Sequence, residues 1–295
     1  MRLLIFGILL SCGCLLFGQN TLFSGQLLDQ DTGAPVVFAN ISFLNSEKGV
    51  STDQEGRFSV RVPNSFLTTK VHISNLNYHD TLVNAATIQE KILYLRPKVE
   101  RLEEVVITTL ESKTIELDRP KGAITSLHSQ GLRMIAKYFP NSKLNECCKY
   151  IDKVEVFFPN RKNKKSKFRF RIFDRDPVTG FPKNDLLKIS IPVEVTELTQ
   201  HISLDLSSYL IEMPKDGFFI AFEKLLIPYN AYKKNPNNEE SELFYSPVLG
   251  WSKAKLFKKT SRNFSFVKAK WVSLAKLNTG RGRGYVPSIS VTLTN

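Results

Sequence analysis

The amino-acid sequence predicts an all-β protein with two sandwich domains. The chain has 295 residues, of which 42% are hydrophobic and 23% charged. This composition fits globular domains and excludes a wholly disordered chain or a coiled coil, and the length fits two domains of ordinary size. Short segments of alternating apolar and polar residues recur, separated by Gly, Pro, Asn and Asp, the residues typical of turns. No segment between residues 23 and 97 has the length and periodicity of a substantial helix.

The first 18 residues are predicted to be a secretory signal peptide. Arg2 precedes a short apolar run, Leu3–Phe17, which ends in Gly18 and the polar Gln19. The run is shorter than the about 20 apolar residues that a membrane-spanning helix needs, and its flanks are those of a signal peptide. We expect cleavage between Gly18 and Gln19, and no transmembrane span after it. A retained N-terminal anchor and a lipid attached to Cys12 are the alternatives.

Residues 20–97 form the predicted first domain, a series of short strands. The segments Val37–Leu44 and Arg57–Val62 alternate in side-chain polarity, which places one face of a strand on a core and the other in water. Turn-forming residues occupy Asp31–Pro35, Asp53–Gly56 and Pro63–Ser65. Strands at this spacing with turns between them are typical of an antiparallel sandwich or barrel.

Five motifs of this domain occur in a characteristic order. They are Phe23–Asp29, Thr32–Pro35, Ala39–Ser42, Thr52–Phe58 and Ser74–Tyr78, the last with Asn77 at a position where Gly is usual. In this order they resemble the carboxypeptidase-regulatory-like (transthyretin-like) domain. The resemblance implies a seven-stranded sandwich without catalytic activity, an accessory module found beside peptidases, transporters and envelope proteins.

Residues 98–130 are predicted to be a linker, and residues 131–295 a second β domain. Leu132–Phe139 is predicted to be the strand that enters it. The later strands are predicted at Val154–Phe158, Phe168–Ile172, Leu187–Ile191, Ile202–Leu206, Phe218–Phe222, Phe264–Val267 and Ile289–Leu293. About eight strands in a domain of this size predict a jelly-roll-like antiparallel sandwich.

The second half also has a family resemblance, of unknown activity. Its matching stretches are Phe168–Phe173, Asp185–Leu187, Asp205–Tyr209 and Pro214–Ile220. They are similar to an uncharacterised domain that often follows the same N-terminal module in Gram-negative envelope proteins.

The net charge of +13 is concentrated in the second half of the chain. Residues 150–295 hold 25 Lys and Arg against 14 Asp and Glu, a net charge of +11. The densest cluster comprises Arg161, Lys162, Lys164, Lys165 and Lys167. In an exported protein this cluster favours an envelope protein, an anionic lipid or a glycan as partner, and argues against nucleic acid. A solvated loop is the alternative.

Three aromatic residues are candidates for stacking on a glycan: Trp251, Trp271 and Tyr285. Aromatic rings in sandwiches belong to the core more often than to a binding surface. Exposure of these rings on one concave face would favour glycan binding.

The sequence contains no motif that predicts a catalytic, metal or cofactor site. The G-x-S-x-G, H-E-x-x-H, P-loop and dinucleotide-binding patterns do not occur. The four histidines are scattered, and signal removal leaves only the adjacent Cys147 and Cys148, which are expected to be buried or partly buried thiols.

Together these patterns predict an exported, non-catalytic, two-domain β protein of the bacterial cell envelope, in the periplasm or at the outer membrane. Its expected role is binding or scaffolding. A glycan-binding module for polysaccharide capture is the first alternative, and an envelope enzyme with a spatially assembled site the second.

Overall fold

The computed structural model describes residues 20–98, 113–120, 123, 125–126, 134–142, 146–159, 164–233, 235, 237, 243–255, 263–274 and 283–295. Regular structure in these ranges is almost entirely β-strand. The strands form two bodies, each with its own core, and the all-β, two-domain sandwich architecture is confirmed.

The first domain is a sandwich of seven described strands and one short helix. The strands are β1 (Asn20–Asp29), β2 (Asn40–Phe43), β3 (Gly49–Ser51), β4 (Arg57–Pro63), β5 (Lys70–Asn75), β6 (Tyr78–Asn84) and β7 (Lys91–Leu95), and the helix is α1 (Ala85–Ile88). One sheet has the order β4-β1-β7 and the other β3-β2-β5-β6. Phe23 and Leu27 from the first sheet meet Ile41, Phe43 and Ile73 from the second in a dry core. The seven strands implied by the family resemblance are thus present.

Two turns of this domain are fixed by the residues that form them. The Asp29 carboxylate accepts hydrogen bonds from the backbone N–H groups of Asp31 and Thr32, both at 2.8 Å, and from the Tyr78 hydroxyl at 2.8 Å. These bonds, the Thr32 bond foremost, lower the pKa of Asp29. Gly56 has a left-handed φ of 70°, and a Cβ there would lie 2.4 Å from the Leu27 carbonyl oxygen. Glycine is therefore the residue that fits this turn.

The second domain is built on two larger sheets. Its described strands are β8 (Thr114–Leu117), β9 (Thr125–Ser126), β10 (Met134–Phe139), β11 (Tyr150–Phe157), β12 (Ser166–Arg175), β13 (Pro182–Asp185), β14 (Pro192–Val195), β15 (His201–Asp205), β16 (Ile211–Glu212), β17 (Phe218–Lys224), β18 (Ala231–Lys233), β19 (Leu243–Tyr245), β20 (Gly250–Lys255), β21 (Asn263–Val267), β22 (Lys270–Ser273), β23 (Arg283–Pro287) and β24 (Ile289–Thr294). The order β13-β12-β17-β10-β21-β22, with β14 also on β12, makes one sheet. The order β15-β11-β24-β8, with β16 also on β11, makes the other, and two small sheets pair β18 with β19 and β20 with β23 and β9.

The main core of this domain lies between the two larger sheets. Phe218, Ile220 and Phe222 of β17 point into it, opposite Val154 and Val291 of β11 and β24. A bulge in β11 between residues 151 and 153 shifts the pairing with β24. The extra residue explains why the buried positions of β11 are three residues apart before the alternation resumes.

The opposite face of β17 is also covered, so every residue of the strand is buried. Phe219 and Ala221 belong to a second apolar cluster on that outer face, together with Phe173 of β12 and Phe264 of β21. A sandwich sheet with water on its outer side would instead carry polar residues there. The outer face of this sheet is therefore a contact surface.

The structure differs from the sequence prediction at two places. Leu187–Ile191 is irregular because the chain leaves the edge of β12 after β13 and returns to the same edge as β14. Within the predicted linker 98–130, Thr114–Leu117 pairs with β24 and Thr125–Ser126 pairs with β20, so these residues belong to the second domain. The predicted strand at Leu132–Phe139 is present as β10 over its described part.

Candidate functional site at the domain interface

A buried ion pair lies at the centre of the contact between the two domains. Arg169 of β12 is directly opposite Glu223 of β17, and their side chains are 0% and 1% exposed. The Arg169 Nε donates to Glu223 Oε2, and Nη2 donates to Oε1 at 3.1 Å. Two parallel bonds between a guanidinium and a carboxylate give a strong and directional pair.

The first domain completes this pair from the other side. The Asn40 side-chain amide of β2 donates to Glu223 Oε1. The Ser51 hydroxyl donates to Asn40 Oδ1 at 3.0 Å and accepts the Leu226 backbone N–H at 3.0 Å. Both faces of β2 are therefore buried, one in the core of its own domain and the other against the second domain.

An apolar cluster adjoins the polar network. Phe38 packs against Leu225 and Ile227 of the second domain, and all three are buried. Phe38 has a φ of 54°, a left-handed conformation that is costly for a bulky residue. The contact with the second domain holds this strained residue in place.

Arg171 extends the charged network toward the surface. Its Nε donates to Asp185 Oδ2, and its Nη1 lies 3.7 Å from Glu223 Oε2. Burial raises the pKa of Glu223, but the charges of Arg169 and Arg171 outweigh it and lower that pKa to about 2. For Asp185 the opposite holds, since burial outweighs Arg171 and raises the pKa.

Beside this network the two domains enclose a cleft of about 320 Å³. Its polar wall consists of His72, Ser74, Asn75, Asp80 and Lys98 from the first domain and of Arg171, Lys183, Asn184, Asp185 and Lys188 from the second. Its apolar wall consists of Leu76, Met134, Phe173, Phe266 and Trp271. Four cationic side chains and two carboxylates give these walls a formal charge of +2 when His72 is counted as neutral.

His72 and Asp80 are paired across the first-domain wall, with Nε2 and Oδ2 3.1 Å apart. Burial alone would raise the pKa of Asp80, but the His72 bond and the charges of Lys98 and Arg171 lower it. Two buried atoms at the cleft, His72 Nδ1 and Asp185 Oδ1, have no hydrogen-bond partner among the described residues. Such atoms carry a desolvation cost that a bound group can offset.

The described lysines of the predicted basic cluster, Lys164, Lys165 and Lys167, do not line this cleft and lie at the start of β12. Lys164 Nζ lies 5.3 Å from the ring centre of Tyr232, and Lys167 Nζ 5.4 Å from that of Tyr229. Lys165 pairs with Glu194 at 3.2 Å, which raises the pKa of the lysine. Arg161 and Lys162 lie outside the described residues.

The structure does not bring the three predicted stacking residues together. Trp251 is 1% exposed in the main core, so the prediction that its ring stacks on a glycan is wrong. Tyr285 is half-buried against the same core. Trp271 lies on the other side of the sheet, half-buried in the cleft, with its ring centre 5.6 Å from that of Phe173 and 5.3 Å from that of Phe266.

The remaining predicted positions divide between described and undescribed parts of the chain. Gly18 and Gln19 lie outside the described residues. Cys148 is buried as expected, whereas Cys147 is exposed, contrary to the expectation. Among the described residues, no cluster of three His, Cys, Asp or Glu side chains could hold a metal ion. No helix in the described ranges combines the length and the apolar character needed to cross a membrane.

Sequence reasoning missed the interface residues Asn40, Arg169, Asp185 and Glu223. Arg169 stands at an alternating polar position, which the pattern assigns to solvent. The one available signal was Glu223, a carboxylate that directly continues the apolar run Phe218–Phe222. A charge at the end of a fully buried strand needs a partner, and two arginines at alternate positions of β12 could supply it.

The comparisons with known proteins support the first domain. Residues 23–107 match the family model of the CarboxypepD_reg-like domain, and a search of curated proteins finds no match. The clostridial cysteine protease Cwp84, as a cysteine-to-alanine variant after propeptide cleavage, is 12% identical with a TM-score of 0.38 over 62% of this chain. The cysteine protease and lectin-like domains of Cwp84, a surface layer associated protein of Clostridium difficile, are 12% identical with a TM-score of 0.39 over 64%.

This chain spans only 40% and 37% of the length of those two structures, and the TM-scores are too low to carry a functional conclusion. The family match is stronger evidence than these structures, because it covers every strand from β2 to β7 and most of β1. The N-terminal domain of this chain is a carboxypeptidase-regulatory-like domain.

Proposed function

We propose that this chain is an exported, non-catalytic protein of the bacterial cell envelope with a binding or scaffolding role. The observation that carries the proposal is the buried contact of Asn40 with Glu223, itself paired with Arg169, which joins the two sandwiches into one unit. A carboxypeptidase-regulatory-like domain is a non-catalytic β module. Its rigid attachment to a second, strongly basic sandwich fits a protein that presents surfaces to partners.

The proposal of export rests on the sequence of residues 1–19. Arg2, the apolar run and the small Gly18 have the order of a signal peptide. Sequencing of the mature N-terminus of protein taken from the native host tests this step. We expect Gln19 as the first residue, whereas an intact Met1 would refute cleavage and a lipidated Cys12 would place the protein among lipoproteins.

The basic cluster is the proposed contact with an anionic envelope partner. Lys164 and Lys167 lie over tyrosine rings, so their ammonium groups are held in defined places on the surface. Lys165 is already paired with Glu194, which reduces its share of the positive field. Attraction at such a surface weakens beyond a Debye length of about 8 Å at physiological salt, so binding should fall as salt rises.

Co-sedimentation of the chain lacking residues 1–18 with outer-membrane vesicles, across a salt series, tests this contact. The test variant changes Arg161, Lys162, Lys164, Lys165 and Lys167 to Gln. The control variant removes the same charge from exposed lysines elsewhere, Lys70, Lys91, Lys215, Lys253 and Lys270. We expect the test variant to lose binding and the control to keep it. Equal binding by both variants would refute the contact and indicate that the cluster is a solvated loop.

Glycan binding is the second candidate, and Trp271 is the observation that favours it. This ring lines the interdomain cleft beside carboxylate, amide and guanidinium groups. Protein sites for small polar ligands combine an apolar wall with a few such groups.

A further inference from the structure

We propose that the interdomain cleft binds a single acidic sugar residue, a ring that carries a carboxylate, between Trp271 and the cationic wall formed by Lys98 and Lys188. The inference deepens the glycan-binding candidate and rests on it. It names both the place of the site and the chemical class of its ligand.

The size of the cleft limits the ligand to a small molecule. Its volume of about 320 Å³ stands at the lower end of the roughly 300–1,000 Å³ that ligand pockets have. One sugar ring fits this space, whereas a long stretch of polysaccharide does not. The cleft therefore suits a terminal residue or a free monosaccharide.

The charge of the walls selects an anion. Lys98 comes from the end of the first domain, and Lys188 comes from the segment between β13 and β14 of the second. The cations thus face the cleft from both domains, and they outnumber the carboxylates of Asp80 and Asp185. A carboxylate in the cleft would be attracted by a positive field confined between walls of low dielectric.

The hydrogen-bond acceptors in the same walls argue for a sugar and against a bare anion. Asp80 is largely exposed and is paired with His72, and because it repels any anion, the group of the ligand that lies against it must be a donor and its carboxylate must face the lysines. Sugar hydroxyls donate to such carboxylates. Asp185 Oδ1 and His72 Nδ1 are buried without partners, and a ligand that reorients either side chain toward the cleft restores a hydrogen bond.

The apolar wall supplies the surface for the ring. Trp271 is fixed by edge contacts with Phe173 and Phe266, so little side-chain entropy remains to be lost on binding. Its half-buried position leaves part of the indole at the cleft. The C–H face of a sugar ring packs on such a surface while its hydroxyls and carboxylate point to the polar walls.

Calorimetric titration of the chain lacking residues 1–18 with D-galacturonate, D-glucuronate and N-acetylneuraminate tests the proposal. D-galactose, the neutral counterpart of galacturonate, and inorganic phosphate serve as the comparison probes. We expect at least one acidic sugar to bind at least about tenfold more tightly than galactose and than phosphate, since a charge-assisted contact is worth about this much. Absence of binding by all three acidic sugars would overturn the proposal, as would equal affinity for galactose or for phosphate.

Matched variants locate the binding. The double variant Lys98→Gln, Lys188→Gln removes one cleft charge from each domain, and Lys70→Gln, Lys253→Gln removes one exposed charge from each domain outside the cleft. We expect the cleft variant to weaken binding about tenfold or more and the control less than about twofold. Equal effects in folded proteins, judged by circular dichroism, would overturn the assignment to this cleft.

Tryptophan fluorescence gives an independent readout, because the chain has two tryptophans and Trp251 is buried in the core. We expect the acidic sugar to change the emission, and we expect Trp271→Phe to abolish the change. A change that persists in this variant would place the ligand elsewhere. Failure of these titrations would leave the export and membrane tests untouched, so the two proposals can fail separately.

Discussion

Substitution of Glu223 by Gln removes the negative charge at the centre of the domain interface while keeping the shape of the side chain. Arg169, fully buried, then faces a neutral amide. The pKa of Glu223 is lowered from 4.5 to about 2 in the folded chain, and each pKa unit corresponds to about 1.4 kcal/mol. Relative to a protonated Glu223, the ionised form therefore contributes about 3 kcal/mol to the free energy of unfolding at neutral pH. Loss of one partner of a buried ion pair typically costs about 3–5 kcal/mol, which agrees.

The pH dependence of this loss follows from the direction of the pKa shift. A carboxylate whose pKa is lower in the folded state stabilises the fold above its unfolded-state pKa. The advantage of the wild-type chain over Glu223→Gln should be complete above about pH 5 and shrink as the pH falls. It should disappear below about pH 2, where Glu223 is protonated in both states.

Urea unfolding followed by tryptophan fluorescence measures this difference, since both tryptophans belong to the second domain. Glu194→Gln is the matched control, because Glu194 pairs with Lys165 at the surface with 40% of its side chain exposed. An exposed pair of this kind contributes less than about 1 kcal/mol. Equal losses in the two variants, or a Glu223→Gln loss that stays constant down to pH 2, would refute the reasoning.

Three further predictions concern other parts of the chain. Gly56→Ala should cost about 1–3 kcal/mol of stability, because the added Cβ meets both backbone strain and a clash. Its control is Gly33→Ala, which has the same φ of 70° in open space and should cost about 1 kcal/mol. Equal melting temperatures of the two variants would contradict the role of the Leu27 contact. Burial and the neighbouring Cys147 raise the pKa of Cys148 to about 11. A thiol reagent at pH 8 should therefore label only Cys147 in the folded chain lacking residues 1–18, and rapid labelling of both thiols would contradict this prediction. Ser51→Ala leaves the buried Leu226 N–H without its acceptor, so it should cost about 1–3 kcal/mol of stability and speed the release of separate domains by brief proteolysis. Ser59→Ala, at an exposed position, is the control, and identical digestion of the two variants would count against the interface.

The first domain could be predicted from the sequence because the residues that form its turns lie close together in the chain. The Asp29 side chain accepts the backbone N–H of Thr32, three residues away, and Gly56 supplies the positive φ that its own turn needs. Short apolar alternation then places the strands, and β4 follows its predicted pattern closely. The motifs that carry the family resemblance are largely these same turns.

The interface was not predictable because it depends on which faces meet. Alternation in β12 separates Phe168 and Phe170 from Arg169 and Arg171, and this separation is correct. It does not reveal that the first domain covers the arginine face, since a period of two residues distinguishes the faces of a strand and says nothing of what packs on them. The same ambiguity affects Asn40, because the alternation in β2 predicts that its side chain faces solvent, whereas the structure buries it.

The buried ion pair has a role that its modest net stability does not explain. An apolar pair of similar size at this contact would hold the two domains together as well or better, because burying two charges offsets much of their attraction. A purely apolar contact between flat sheet faces, however, tolerates sliding, whereas the Asn40 amide reaches the Glu223 carboxylate, which Arg169 holds in place, in only one relative position of the two domains. Arg171 lies 3.7 Å from Glu223 Oε2 and bonds to Asp185, and both Arg171 and Asp185 line the cleft, so the network that binds Asn40 continues into the cleft wall. The charges thus connect the packing of the sandwiches to the geometry of the proposed binding site.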